Sequence, residues 1–214
     1  MLDGRFAQKE YLVMIYAKDK NSNYITASKK AFAVCPCCST ELIPKCGEEV
    51  VWHWAHYPNV NCIYSSYSDN NYSYDWKLRV KGNKCEVNVD GTITDIIGFD
   101  STQIFIYRNQ QERVIDNICN SKSKKSIWIC NGIDHELIEE NRPLKETVKR
   151  AIWNNPVYPL LSNIDKIKLF IDYQNINKMF EVNGYRQTNK VVLIGTWITL
   201  NYFIQRYLAD DEIF

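Results

Sequence analysis

Residues 85–108 read CEVNVDGTITDIIGFDSTQIFIYR, and the punctuation of this stretch dictates how the chain around it folds. Cys85–Val89 alternates, Asp90-Gly91 supplies two residues that tolerate positive φ, and the strand pattern resumes at Thr92 and runs to Phe99. Asp100-Ser101 makes a second turn. Gln103–Arg108 is then a third strand, with Ile104 and Ile106 on one side and Phe105 and Tyr107 on the other. Upstream, Tyr72–Val80 reads as the end of a helix. Downstream, Gln110–Cys119 spaces Val114, Ile115 and Ile118 helically, and Ser126–Cys130 is a short apolar strand. The expected order is helix, three strands, helix, strand.

Further out, Tyr11–Ala17 and Tyr24–Ala33 read as strands joined by the turn Asp19–Asn23. Pro143–Trp153 opens like a helix, with Leu144, Val148 and Ile152 four apart, and Pro156 and Pro159 close it. Strands are expected near Lys168–Tyr173, Lys178–Val182 and Lys190–Ile194, and a last helix near Thr199–Leu208. Ser65–Tyr74 is the nearest thing to a linker. The 214 residues carry 26 Lys and Arg against 25 Asp and Glu, a net charge of +1, which excludes a histone-like tail or a polybasic membrane anchor. Any nucleic-acid site must be a local patch. No apolar run reaches the ~18 residues of a spanning helix. Met1–Glu10 has charges where a signal peptide needs an apolar stretch. The expectation is a soluble, cytoplasmic chain with no membrane partner.

Cys35, Cys37, Cys38, Cys46 and Cys62 fall within 28 positions, whereas Cys85, Cys119 and Cys130 are scattered and read as small core residues. Cys35 and Cys38 form a Cys-x-x-Cys pair, His53-Trp54-Ala55-His56 begins fifteen positions later, and Cys62 follows. Without a secretory signal, such a cluster reads as a metal site before a disulfide framework. Two short-spaced pairs on facing turns can supply the four ligands of a tetrahedral, structural zinc. The candidates are Cys35, Cys38, His53, His56 and Cys62, with Cys62 able to displace either histidine and Cys37 read as a spacer. The alternative is reduced, buried cysteines beside packed histidines. A catalytic zinc is not expected, since no carboxylate sits within the His-x-x-His motif as a general base.

Cys35-Pro36-Cys37-Cys38, the stretch from Glu41 to Gly47, and Trp52-His53-Trp54-Ala55-His56 resemble the opening of the CoiA-like competence proteins. Weaker likenesses follow in the family's order at Trp76-Lys77, Glu86, Ile93–Ile96, Ile127–Ile129 and Lys168–Asp172. The resemblance implies an α+β chain. An N-terminal module with a zinc ribbon (1–64) precedes a restriction-endonuclease-like PD-(D/E)xK core (65–142) and a C-terminal α+β extension (143–214).

Nucleases of that type hold Mg or Mn on carboxylates of adjacent strands, and the metal activates a water and neutralises the transition state. By resemblance, Glu86 and Asp95 take two of the carboxylate positions. The third element, Glu-x-Gln about ten residues after the Asp, falls on Phe105 and Tyr107. A phenyl ring cannot ligate a hard cation. Tyr107 is thereby the remaining occupant of the catalytic strand, and Ser73 stands where the family usually has a His. The expectation is a nuclease fold with degenerate catalysis that binds DNA or RNA. Lys77, Arg79, Arg108, Arg113, Lys124 and Lys125 are the candidate phosphate contacts, with tyrosines between 64 and 74 available for stacking. Two alternatives stand beside it: an active Mg- or Mn-dependent nuclease, and a protein-interaction module on a dead nuclease fold. Oligomeric state is left open.

Overall fold

The computed structural model describes residues 14–48, 52–62, 71–80, 82–107, 112–120, 126–132, 135–138, 149–173 and 177–209. The chain divides into two compact units, Met1–Ile93 and Thr94–Phe214.

In the first unit, β1 (Tyr16–Lys18) pairs antiparallel with β2 (Tyr24–Thr26), and β3 (Leu42–Lys45) with β4 (His53–His56). The turn between β1 and β2 is closed by Asp19, whose carboxylate accepts from the backbone N–H of Asn21 and Asn23 at 2.8 Å each. Single bridges from Met14 to Trp54, Lys18 to Val34 and Val34 to Glu41 tie the hairpins together. Their shared core is small: Met14, Ala17, Ala27, Ala33, Leu42 and Trp54, with Cys35 and Cys62 among them. Trp54 is fully buried and donates its indole N–H to the Ile25 carbonyl at 3.1 Å. Then come α1 (Asn71–Lys77), a 3-10 turn at Gly82–Lys84 and β5 (Cys85–Val89). Asp90 and Gly91 both take positive φ, 51° and 83°, so the hairpin turn forms as its sequence demands. The next strand, β6 (Thr92–Ile97), runs across the divide between units.

The second unit is built on one sheet. It contains β7 (Gln103–Ile106), β8 (Ser126–Asn131), β9 (His135–Ile138), β10 (Lys149–Trp153), β11 (Ile167–Tyr173), β12 (Lys178–Gln187) and β13 (Val191–Thr199). From β6 onward the order is β6-β7-β8-β11-β12-β13-β10-β9. The β6–β7 pair is antiparallel, β7–β8 and β8–β11 are parallel, and the remainder is antiparallel. Strands β8 and β11 are central and buried on both faces, which is why Ile127–Cys130 and Leu169–Ile171 are unbroken apolar runs. Leu169 and Ile171 face the main core with Ile115 and Ile118 of α2 (Glu112–Asn120) and Leu160 and Leu161 of α3 (Tyr158–Leu161). Phe170 points the other way, against Phe203 of α4 (Leu200–Tyr207), with ring centroids 4.9 Å apart. Thr199 caps α4 by accepting from the Tyr202 N–H at 3.1 Å.

The stretch expected as a helix over Pro143–Trp153 is corrected: Lys149–Trp153 is β10, and 141–148 lie outside the described residues. The i, i+4 spacing of Leu144, Val148 and Ile152 loses to the alternation of buried Ala151 and Trp153. That alternation pairs β10 with β13 on one side and β9 on the other, a tertiary override of a local pattern. Nor does Pro159 close a helix; it begins α3. The strand expected over Tyr24–Ala33 is only Tyr24–Thr26. Among the described residues, no helix is long and apolar enough to cross a membrane.

Gly195 sits where β13 crosses β12 opposite Val182, and a Cβ there would lie 2.1 Å from the Glu181 carbonyl oxygen. That oxygen belongs to backbone inside the sheet and cannot rotate away. Gly195→Ala is expected to destabilise the protein by about 1–3 kcal/mol, the usual range for overpacking. Thermal unfolding followed by circular dichroism checks this, and an unchanged Tm would refute it.

Candidate metal centre

Cys35 enters from the bridge at Val34, and a short loop closes behind it. The Cys35 N–H donates to Thr40 O at 2.8 Å, and the Ser39 N–H to Cys35 O at 3.0 Å. Ser39 takes φ of 59°, so the backbone reverses immediately after Cys38. The loop presents two sulfurs inward, and the Cys37 N–H donates to Cys35 Sγ at 3.3 Å, leaving the Cys37 thiol exposed as a spacer.

The remaining donors come from β4 and the segment after it. Cys38 Sγ lies 3.4 Å from His56 Nε2, and Cys35 Sγ lies 3.8 Å from Cys62 Sγ. Together the donor atoms of Cys35, Cys38, His56 and Cys62 lie within 4.8 Å of one another. A tetrahedral ion with bonds of about 2.3 Å to sulfur and about 2.0 Å to nitrogen has edges of roughly 3.8 Å between sulfurs and roughly 3.5 Å between sulfur and nitrogen. Both close distances match those edges. A Cys3His set of this kind could bind a metal such as zinc.

His53 lies outside the group, for a geometric reason. His53 and His56 are three apart on a strand, and side chains of a strand alternate. His56 therefore shares its face with the buried Trp54, while His53 projects from the opposite one. Cys62 fills the position a second histidine would have taken. Reading His53–His56 as a strand of β propensity, rather than as a turn, is the signal that separates the two histidines.

The two thiols of the loop differ electrostatically. Burial raises the Cys35 thiol above its ordinary range, as for a sulfur without a cation beside it. At Cys38 burial also acts upward, but hydrogen bonds from Thr40, His56 and Cys62 outweigh it and bring the thiol down to about 6. The Thr40 hydroxyl lies 3.0 Å from Cys38 Sγ, an outer contact that orients the sulfur.

The candidate hydrolytic residues are placed differently. Glu86 belongs to the first unit, is buried, and takes φ of 53°. Its Oε1 accepts from the Lys77 ammonium at 3.1 Å and its Oε2 from the Ile15 N–H at 3.2 Å. Lys77 is itself fully buried, so it is an internal ion-pair partner rather than a surface phosphate contact. Asp95, in the second unit, is also fully buried, and its Oδ2 accepts from the Ile106 N–H at 2.8 Å. The β6–β7 ladder is registered at Ile96↔Ile104 and Ile97↔Gln103, and the Asp95 carboxylate takes up the backbone donor just beyond it. Phe105 is 1% exposed and stacks on Trp128 at 4.8 Å, with the rings tilted by only 22°. Tyr107 packs against the same core. Of the candidate phosphate contacts, Arg79 is exposed over the Trp76 ring at 5.2 Å. Arg113 lies on α2, and Arg108, Lys124 and Lys125 lie outside the described residues, as do 63–70 with their tyrosines.

Residues 17–65 match the family model of the competence protein CoiA, N-terminal domain. The match spans all four donors and less than a quarter of the chain. No curated protein and no solved structure matches the chain.

His56→Ala and Cys62→Ser are expected to abolish stoichiometric metal binding, whereas His53→Ala retains it; elemental analysis of purified protein reads both. Protons compete with a metal for the Cys38 thiolate, so retention is expected to fall as the solution is acidified. Separately, Lys77→Ala removes the ammonium partner of a buried carboxylate, with an expected loss of about 3–5 kcal/mol. Urea unfolding checks it, and a loss below 1 kcal/mol would mean that the pair is expendable.

Proposed function

We propose that this is a CoiA-like protein. A zinc-stabilised ribbon precedes a nuclease-type PD-(D/E)xK core that engages DNA or RNA and has lost efficient metal-dependent cleavage. The family match over residues 17–65 and the Cys3His cluster support the first half. Zinc is the fitting ion because a sulfur-rich set of four donors suits it, and with all four positions filled by the protein its role is structural. When bound, it would crosslink the Cys35–Cys38 loop, β4 and the segment that carries Cys62.

The chain order α1, β5, β6, β7, α2, β8, with β6 and β7 antiparallel and β7 and β8 parallel, supports the core assignment. The observation that carries the loss of catalysis is Phe105. Where a metal-binding acid is required, the ring is buried and stacked on Trp128. A hard cation needs oxygen ligands, and apolar packing fills that position. Asp95 and Glu86 are both engaged by internal donors, so their carboxylates serve the fold. Among the described residues, the group of three or more metal-capable side chains is the Cys3His set, which is unsuited to Mg or Mn.

Plasmid DNA and single-stranded RNA incubated with the protein and Mg²⁺ or Mn²⁺ test this reading. The expected result is salt-sensitive binding, with cleavage no greater than for Asp95→Asn, which keeps an acceptor for the Ile106 N–H. Cleavage by the wild type that Asp95→Asn removes would overturn it in favour of an active nuclease. Absence of any nucleic-acid retention would favour the protein-interaction alternative.

A further inference from the structure

We propose that the outer face of α4 and the neighbouring turn at Phe99 form a platform for unpaired nucleic-acid strands. The inference rests on the nucleic-acid reading above and adds where a strand would lie. All the residues concerned belong to the second unit.

Tyr207 is the fixed centre of this face. Its ring is braced from beneath by Phe170 at 5.7 Å and Phe203 at 5.0 Å, both fully buried. Two cations lie against it: the Lys168 ammonium 5.1 Å from the ring centroid and the Arg206 guanidinium 5.5 Å away. Each is also anchored by a hydroxyl, Lys168 donating to Tyr207 Oη at 2.8 Å and Arg206 to Tyr202 Oη at 2.6 Å. One donor of each cation is thereby used, which leaves two on the ammonium and four on the guanidinium. Tyr202 lies on the far side of Arg206, 5.7 Å from it, and is 45% exposed. The backbone N–H of Phe99 donates to the Tyr207 carbonyl at 3.1 Å, which anchors that turn to the end of α4 and leaves the Phe99 ring 57% exposed.

Exposed aromatic faces beside pre-positioned cations suit bases and phosphates together. The electrostatics narrow the ligand further. The Asp100 carboxylate accepts from the Thr102 N–H and hydroxyl and interacts electrostatically with Lys168, as Glu181 does with Arg206. An acid near each cation reduces the long-range attraction to a duplex backbone here. Stacking must supply the affinity, and only unpaired bases offer their faces. The expected ligand is therefore a single strand. Two neutralised phosphates give a salt slope of about −1.4 in log K against log salt, shallow for a nucleic-acid binder.

The test is fluorescence anisotropy of the full chain with a labelled oligothymidylate of about 15 nucleotides and with a duplex of the same length. The expected outcome is preference for the single strand. Phe99→Ala or Tyr202→Ala should weaken it at least about fivefold, the lower end of one lost base stack, and Tyr202→Trp should retain it. Both truncations are at exposed rings, so an unchanged Tm separates lost stacking from lost folding. If the wild type binds the single strand and both truncations bind it equally well, this platform is refuted while the nucleic-acid reading stands. It is refuted in the same way if only an Arg113, Lys124 and Lys125 triple alanine variant loses binding. If the wild type binds neither probe, the broader reading falls and this one with it.

Discussion

Phe105 lies flat on Trp128, and the second unit is arranged around that contact. The two residues are register partners on the parallel strands β7 and β8, so their rings meet because the ladder places them side by side. An aromatic stack of this kind adds about 0.5–1.5 kcal/mol beyond the area it buries. An acid at position 105 would instead bring a charge against Trp128 inside the main apolar cluster. Its desolvation would cost several kcal/mol unless a cation compensated it. Packing here and metal ligation are thus mutually exclusive uses of one position. Position 105 is used for packing here, and the Asp95 carboxylate accepts from the Ile106 N–H.

The first unit faces the opposite difficulty. The described cluster beneath its two short hairpins contains three alanines and two cysteines beside Met14, Leu42 and Trp54, and two-stranded hairpins are marginal by themselves. Four convergent donors in the same core make a metal the natural crosslink. Cys35 and Cys62 are simultaneously core residues and candidate ligands, so a bound metal would couple the two sources of order.

The meander was legible because its turns are specified by residue type: Asp90-Gly91 demands positive φ, and the structure has it at both positions. The metal cluster was legible as a neighbourhood, since cysteine and histidine spacing is a one-dimensional trace of a tetrahedral site. Which histidine ligates was not, because that depends on whether positions 53–56 turn or extend. Strand β10 was hidden for a different reason. Its alternation is only five residues long and becomes decisive once β9 and β13 flank it, partners that are distant in sequence. Lys77 shows the same limit for charge. A lysine at a helix end reads as solvated surface, and only the arrival of Glu86 turns it into a buried pair.

That last point bears on how a nearly neutral protein could recognise a polyanion. The net charge is only +1, and Lys77, paired internally with Glu86, is not available to a basic groove. Lys168 of β11 and Arg206 of α4 are held against tyrosine rings rather than pooled into a field. Ordering them in advance lowers the entropy lost on binding, and pairing them with exposed rings shifts affinity from long-range attraction to contact. A surface of this kind discriminates by what a ligand can stack, not by how much charge it carries. Its selectivity should therefore survive at ionic strengths that screen a purely basic patch.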